Sequence, residues 1–245
     1  MTATSIADWY EANQRHLVAA LTAVRATLQR HAARTQDAPE PEGRGEPPQA
    51  PQEAGLPAPP ALETLSETFG LSPFEREVLL MCAGMELDST FAALCANAQG
   101  DPQRAYPTFG LAMAALPDVH WSATTPAAPL RYWRLVEVGT GDTLATSPLR
   151  IDERVLHYLA GVAHLDERLQ GLVEPLQAPG DLLSSHRAVV HRIVGHWSRT
   201  EGASPGPVIH LCGDEDAGKQ AVAAAACATL GLQLHAVHAA DIPAG

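Results

Sequence analysis

Hydrophobic residues recur at helical spacing near the start of the chain. They form one narrow stripe on a helix that we place at residues 5–33, with Ser5 positioned to cap it. The stripe consists of Tyr10, Leu17, Leu21, Val24 and Leu28. A stripe this narrow is typical of a helix that docks on a neighbouring molecule or forms a short coiled coil, and equally of a helix that packs on its own domain. The pattern leaves both possibilities open.

The next stretch, residues 36–60, has a different composition. It contains eight prolines and three glycines, and Leu56 is its only large hydrophobic residue. Such a segment buries too little apolar surface to offset the entropy lost on ordering, and its prolines favour an extended, semi-stiff chain. We therefore expect a disordered, proline-rich linker between an N-terminal helix at 1–35 and the folded part of the chain.

Short helical patterns follow, in a region that we assign to one domain at residues 61–175. Leu62, Leu65 and Phe69 form a first helical face, which Gly70 ends. The next helix starts at Ser72-Pro73-Phe74-Glu75, where Ser72 caps and Glu75 returns the hydrogen bond. Glycine and proline punctuation then predicts the remaining boundaries. Gly84 is expected to end that helix, Asp88 to cap a helix at 88–98, and Pro107-Thr108 to open a helix that Pro117 ends.

The periodicity changes after residue 129. Residues 130–138 are rich in aromatic and β-branched side chains, residues 139–142 have turn chemistry, and residues 143–147 fit a second short strand. Asp152 is positioned to cap a last helix, which Gly161 ends. Helices, a β-hairpin and a final helix predict a winged-helix-like domain that is mostly α with a small β-hairpin.

The charge of this domain opposes the nucleic-acid binding that winged helices often carry out. Residues 61–178 contain fifteen acidic residues and seven arginines, and the whole chain has a net charge of −12. The helix at 88–98 would be the second of a helix-turn-helix, yet it has no basic residue to offer a phosphate or a guanine. We therefore expect this domain to contact protein partners, and a DNA-binding regulator remains an alternative.

A second region, residues 180–245, follows a boundary at 175–179. It predicts a helix at 181–199, a strand at 208–212, an alanine-rich helix at 221–230 and a second strand at 232–237. Between the first strand and the alanine-rich helix lies Gly-Asp-Glu-Asp-Ala-Gly-Lys-Gln. This matches the pattern of a phosphate-binding loop, Gly, four residues, Gly, Lys and Ser or Thr, except at the last position, Gln220. The region therefore predicts the start of an α/β P-loop NTPase domain.

The candidate cofactor-binding residues form one continuous loop. They are Gly213, Asp214, Glu215, Asp216, Ala217, Gly218, Lys219 and Gln220. Backbone N–H groups at the start of the helix would surround the β-phosphate of ATP, and Lys219, the only lysine in the chain, would neutralise the β- and γ-phosphates. Gln220 lacks the hydroxyl that normally ligates Mg²⁺, so its amide oxygen would be a poorer ligand. Carboxylates at 214–216 would lower affinity if they faced the phosphates.

Cysteine usage and hydropathy indicate the cellular compartment of the protein. The four cysteines lack a CxxC pairing, the N-terminus lacks the pattern of a signal peptide, and no apolar run reaches the roughly 20 residues that span a bilayer. We expect reduced core cysteines in a cytoplasmic protein without contact with a membrane. His235 and His238 would lie on opposite faces of a strand, so we expect no metal site.

Four stretches of the chain resemble a known family, the bacterial AAA+ proteins in which a winged-helix region precedes the ATPase domain and whose genes lie in clusters for phage-tail-like contractile injection systems. The stretches are 71–77 (Leu-Ser-Pro-Phe-Glu-Arg-Glu), 82–88 (Cys-Ala-Gly-Met-Glu-Leu-Asp), 133–137 (Trp-Arg-Leu-Val-Glu) and 148–153 (Pro-Leu-Arg-Ile-Asp-Glu). The resemblance covers about residues 61–245. It implies an ATP-driven, ring-forming homo-oligomer that remodels or assembles a protein complex, with the winged-helix-like domain as its docking module.

The 245 residues do not contain all the motifs that an ATPase domain needs. Hydrolysis needs an acid-ended strand to hold Mg²⁺ and position water, and no apolar run ending in Asp-Glu follows the loop. We therefore expect the chain to be the N-terminal part of a longer protein and not to hydrolyse ATP by itself. A non-hydrolysing adaptor with a degenerate loop is the alternative.

Overall fold

The computed structural model describes residues 3–35, 58–162, 165–166, 169–178, 180–198 and 208–242. The chain divides into two compact units, Met1–His164 and Leu165–Gly245. All but the last three residues of the predicted linker at 36–60 lie outside the described residues. Each unit is described below by itself.

The first unit is mostly helical. Its elements are α1 (Ala3–Thr35), α2 (Ala61–Phe69), α3 (Pro73–Leu87), α4 (Phe91–Gln99), α5 (Phe109–Ala115), a 3₁₀ turn (Trp121–Thr124), α6 (Pro129–Tyr132), β1 (Val136–Val138), β2 (Leu149–Ile151) and α7 (Glu153–Leu159). Helices α1, α3, α4 and α5 pack around one hydrophobic core, whose large fully buried side chains include Phe74, Phe91 and Phe109.

Helix α1 answers the question that its narrow stripe left open. Leu17, Leu21, Val24 and Leu28 are buried in the core of the first unit, where α1 packs on α3, α4 and α5. Asn13 adds polar contacts, since its side chain bonds the backbone at the start of α2 and at the end of α7. The helix therefore packs on its own unit.

Two predicted caps, Ser72 and Asp152, and the helix start predicted at Pro107-Thr108 are confirmed. Ser72 Oγ accepts from the N–H of Glu75 at 3.2 Å, and the carboxylate of Glu75 accepts from the N–H of Ser72 at 3.0 Å, which is a capping box. Thr108 caps α5 and Asp152 caps α7, each by accepting a backbone N–H of the first turn. Local side-chain chemistry therefore set these helix starts.

Two predicted boundaries are wrong. Gly84 does not end α3, which continues to Leu87. This glycine instead lets a ring pass close to the helix, because a Cβ at Gly84 would lie 2.3 Å from the Phe91 ring. Asp88 is not the N-cap of α4; Thr90 is, and Asp88 accepts from the N–H and hydroxyl of Thr90 at 2.9 and 2.8 Å. Asp88 thus organises the turn between α3 and α4.

The hairpin is confirmed, but its second strand lies later than predicted. Strand β1 pairs antiparallel with β2, with Val136 opposite Ile151 and Val138 opposite Leu149. Residues 143–147 are not a strand, because Thr143 O accepts the N–H groups of Thr146 and Ser147 in a local turn. The predicted strand start at 130 is also wrong, because Pro129 opens the one-turn helix α6. A bridge between Thr108 and Pro148 extends the small sheet.

The second unit contains α8 (Ser184–Ser198), α9 (Asp216–Thr229), β3 (Val173–Leu176), β4 (Leu234–Val237) and a 3₁₀ turn (Ala239–Asp241). Helices α8 and α9 pack through four buried side chains, Val190, Ile193, Val222 and Ala226. Strand β4 confirms the strand predicted at 232–237. Its partner is β3, with which it pairs antiparallel; β3 spans the end of the domain predicted at 61–175 and the start of the boundary predicted at 175–179.

The predicted strand at 208–212 is wrong, since the structure assigns no strand to these residues. A strand is stable only where its backbone N–H and C=O groups find a ladder partner, and the described residues of this unit give 208–212 none. Val208 is almost fully exposed. The described part of this unit is a helix pair with a two-stranded antiparallel sheet, and the α/β P-loop domain stays a prediction.

Candidate functional site: the loop before α9 and the exposed face of the first unit

The predicted phosphate loop lies at the N-terminal end of α9. Gly213 has φ of 151°, a value that favours glycine, and it starts the bend that leads into the helix. Glu215 occupies the N-cap position but makes no side-chain capping bond, so it does not satisfy the first N–H groups of α9. Because α9 begins at Asp216, Gly218 and Lys219 lie in its first turn. An uncapped helix start of this kind is where an anion binds favourably.

Lys219 closes the loop on itself. Its Nζ donates to Gly213 O at 2.9 Å and pairs with Asp216 Oδ1 at 2.7 Å. The hydrogen bond from Lys219 lowers the pKa of the Asp216 carboxyl. A phosphate group would have to take over one or both of these contacts, so the ammonium lies within the loop that the sequence predicted for it.

The other predicted loop residues are mostly solvent-facing. Asp214, Glu215, Asp216, Ala217 and Gln220 are exposed, whereas Gly218 and Lys219 are half-buried. Exposure moderates the penalty that three carboxylates impose on an anion, because water screens them. Gln220, which stands where the pattern has Ser or Thr, follows the lysine on an exposed part of α9.

His186 is a neighbour of the loop that sequence reasoning missed. It lies in the first turn of α8, and a Cβ added at Gly218 would lie 3.2 Å from its Cε1 and 3.5 Å from its Nε2. Glu215 Oε2 would lie 3.4 Å from the same Cβ position. Only packing of α8 on α9 brings His186 to Gly218, so no local signal in the sequence could have found it.

In the first unit, α1 packs on α4, so α4 is not an open surface for a ligand. Helix α1 lies along α4, and Arg25 of α1 pairs with Asp88 at the turn before α4. The helix that directly precedes the hairpin is α6, which is only one turn long, and its Arg131 donates to Thr124 O at 2.7 Å. Neither helix offers the row of basic side chains that base or phosphate contacts require.

An aromatic cluster, defined as Phe69, Tyr132 and Trp133, lies on the surface beside α6. The rings of Phe69 and Trp133 are 5.5 Å apart, and those of Tyr132 and Trp133 are 4.8 Å apart at 88°. Tyr132 is 63% exposed and Trp133 49%. Exposed aromatic rings in edge-to-face and tilted contact are typical of protein contact surfaces, since they bury much area at little entropic cost.

The cysteines agree only in part with expectation. All four cysteines are free, and Cys82, Cys95 and Cys227 are buried as predicted, but Cys212 is exposed, with its Sγ 3.7 Å from His210 Nδ1. The described residues contain no group of three or more possible metal ligands. They also contain no helix long and apolar enough to cross a membrane.

The arrangement of the first unit agrees with a comparison to known families. A family model described as "Winged helix domain, variant" matches residues 9–173. The match begins inside α1 and extends through α7, so it includes the helix that sequence reasoning set apart. No curated protein and no solved structure matches the chain. Because the matched residues make up more than half of its length, this chain belongs to the family of variant winged helix domains.

Proposed function

We propose that this chain is the N-terminal part of an AAA+ ATPase that remodels or assembles a protein complex. In this proposal the loop at 213–220 binds the phosphates of ATP, and the winged helix unit docks protein partners. The full-length protein would form a homo-oligomeric ring in the cytoplasm and act in a contractile injection system. The observation that carries the proposal is the position of the only lysine, within an uncapped helix start that follows a phosphate-loop sequence.

Charge supports ATP as the ligand class. The first-turn N–H groups of α9 can donate to a phosphate, and Lys219 can move from Gly213 O and Asp216 to the β- and γ-oxygens without leaving the loop. Mg²⁺ would have to rely on Gln220, on phosphate oxygens and on water. We therefore expect weaker dependence on Mg²⁺ than in a loop that ends in Ser or Thr.

The first unit supports docking of protein rather than DNA. Helix α1 covers α4, α6 is one turn long, and the surrounding charge is acidic. The aromatic cluster supplies exposed area that a protein surface would cover favourably.

The decisive test of nucleotide binding is calorimetric titration of the full chain with ATP. Lys219→Ala is expected to weaken binding by about tenfold to a hundredfold, since a charged hydrogen bond contributes about 1.5–3 kcal/mol. Arg192→Ala, which removes an exposed charge from α8, is the matched control and should bind as wild type does. Equal binding by Lys219→Ala and wild type would refute the proposal.

Two further outcomes separate the alternatives. Binding of ATP without turnover by the full-length protein would support the non-hydrolysing adaptor. Binding of duplex DNA whose affinity falls steeply with salt would support the DNA-binding regulator, because such a slope counts neutralised phosphates.

A further inference from the structure

The inference concerns His186, which the phosphate-loop pattern does not include. Its imidazole edge, Cε1 and Nε2, packs against the backbone of Gly218 in the first turn of α9. The side chain is half-buried, and so are Gly218 and Lys219 beside it. The ring nitrogen that packs against Gly218 therefore lies beside the first turn of α9, whose backbone N–H groups would bind phosphate.

The local charge is unbalanced for an anion. Asp214, Glu215 and Asp216 contribute three carboxylates, while Lys219 contributes one ammonium that Asp216 already engages. Around His186, Glu215 Oε2 shares the space over Gly218, and Asp216 and Lys219 lie on the same turn of α9. On α8, Arg187 follows His186, but its Nε donates to Leu182 O at 3.1 Å. Among the described residues beside Gly218, the group that can supply a second positive charge is the imidazole of His186.

We propose that His186 is a further phosphate-contact residue, whose protonated ring supplies a second cation to the loop and makes nucleotide affinity depend on pH. The inference rests on the proposed binding of ATP at 213–220. A phosphate beside Gly218 favours the imidazolium over the neutral ring, so binding takes up a proton, and affinity rises as pH falls through the range in which histidine titrates.

The experiment titrates the full chain with ATP at about pH 6 and about pH 8, the two sides of the histidine range. The ratio of the two dissociation constants is measured for wild type, His186→Gln and His186→Arg. Protonation of ATP itself affects every protein equally, so it cancels when the ratios are compared. His191→Gln is the matched control, because it removes an exposed imidazole from the same helix outside the described contacts of Gly218.

Wild type and His191→Gln are expected to gain about fivefold to tenfold in affinity at the lower pH, relative to His186→Gln, as a charge-assisted hydrogen bond predicts. His186→Arg keeps its charge at both pH values, so it should bind more tightly than wild type at about pH 8 and lose the pH dependence. A purely structural role for His186 would change affinity equally at both pH values and would not be rescued by arginine.

The two proposals fail in different ways. If Lys219→Ala abolishes binding but His186→Gln keeps the pH dependence of wild type, the role of His186 is overturned and ATP binding stands. If wild type binds no ATP at either pH, or binds no better than Lys219→Ala, both proposals are overturned.

Discussion

Asn13 offers a direct test of whether α1 is an integral part of the winged helix unit. Its Nδ2 donates to Leu159 O at 2.9 Å, and its Oδ1 accepts from the N–H of Ala61 at 2.8 Å. The side chain therefore joins α1 to the start of α2 and the end of α7. Asn13, Ala61 and Leu159 are each no more than 2% exposed. Replacing Asn13 with alanine would leave one buried donor and one buried acceptor without partners.

The expected loss follows from these two groups. An unsatisfied buried polar group costs about 1–3 kcal/mol, so the two groups together cost about 2–6 kcal/mol, and the better helix propensity of alanine returns about 0.5 kcal/mol. Asn13→Ala should therefore lower the free energy of unfolding by about 1.5–5.5 kcal/mol. Asn13→Asp keeps the acceptor for Ala61 but sets a carboxylate against Leu159 O, so it should be at least as destabilising. Gln14→Ala removes one bond to Ala160 O at a half-buried position, where water can replace it, and should cost under about 1 kcal/mol.

Urea unfolding followed by tryptophan fluorescence measures these differences. Trp9, Trp121 and Trp133 lie in the first unit, and a Trp197→Phe background removes the tryptophan of the second unit. The reasoning is refuted if Asn13→Ala unfolds within about 0.5 kcal/mol of its parent, the range of ordinary surface substitutions. It is also refuted if Asn13→Ala costs no more than Gln14→Ala.

Three other predictions follow from contacts of the same kind. Gly84→Ala should destabilise by about 1–3 kcal/mol despite alanine's helix propensity, because its Cβ meets the Phe91 ring; urea unfolding should show this penalty vanish in a Phe91→Leu background. The hydrogen bond from His16, together with Arg76, lowers the pKa of Glu63 from 4.5 to about 2. The stability that Glu63 contributes to the fold is therefore complete above its unfolded-state pKa and is lost as pH falls toward its folded-state pKa. Because Glu63 is one-third exposed, Glu63→Gln should reduce the loss of unfolding free energy between neutral and acidic pH by only about 1 kcal/mol. Glu153→Gln, at an exposed site, should leave that loss unchanged. In the native protein a thiol reagent should modify Cys212 rapidly and Cys82, Cys95 and Cys227 only on unfolding, since burial raises the pKa of all three; Cys212→Ser should remove the fast phase.

Elements defined by local chemistry could be predicted from the sequence. Ser72 with Glu75, Thr108 and Asp152 each mark a helix start with a side chain that bonds its own backbone. Such signals do not depend on the rest of the chain, and the winged helix order of helices and hairpin follows from them.

Features that depend on a distant partner could not be predicted. Gly84 reads as a helix end, but the ring of Phe91 makes it a point of close packing. Residues 208–212 read as a strand, but their backbone has no ladder partner in the described part of the second unit. At the candidate site, the loop with Lys219 was visible in the sequence, while His186 reaches it only because α8 packs on α9.

The position of α1 limits what the winged helix unit can bind. In the first half of this helix, Asn13 bonds the start of α2 and the end of α7. The second half lies on α4, and its Arg25 pairs with Asp88. Since α4 carries no basic residue and faces α1, a ligand that reads α4 would first have to displace a helix anchored by buried hydrogen bonds and the core. The aromatic cluster requires no such displacement, because Tyr132 and Trp133 are already exposed. The proposed docking of a protein partner on these rings would therefore leave the fold of this unit intact.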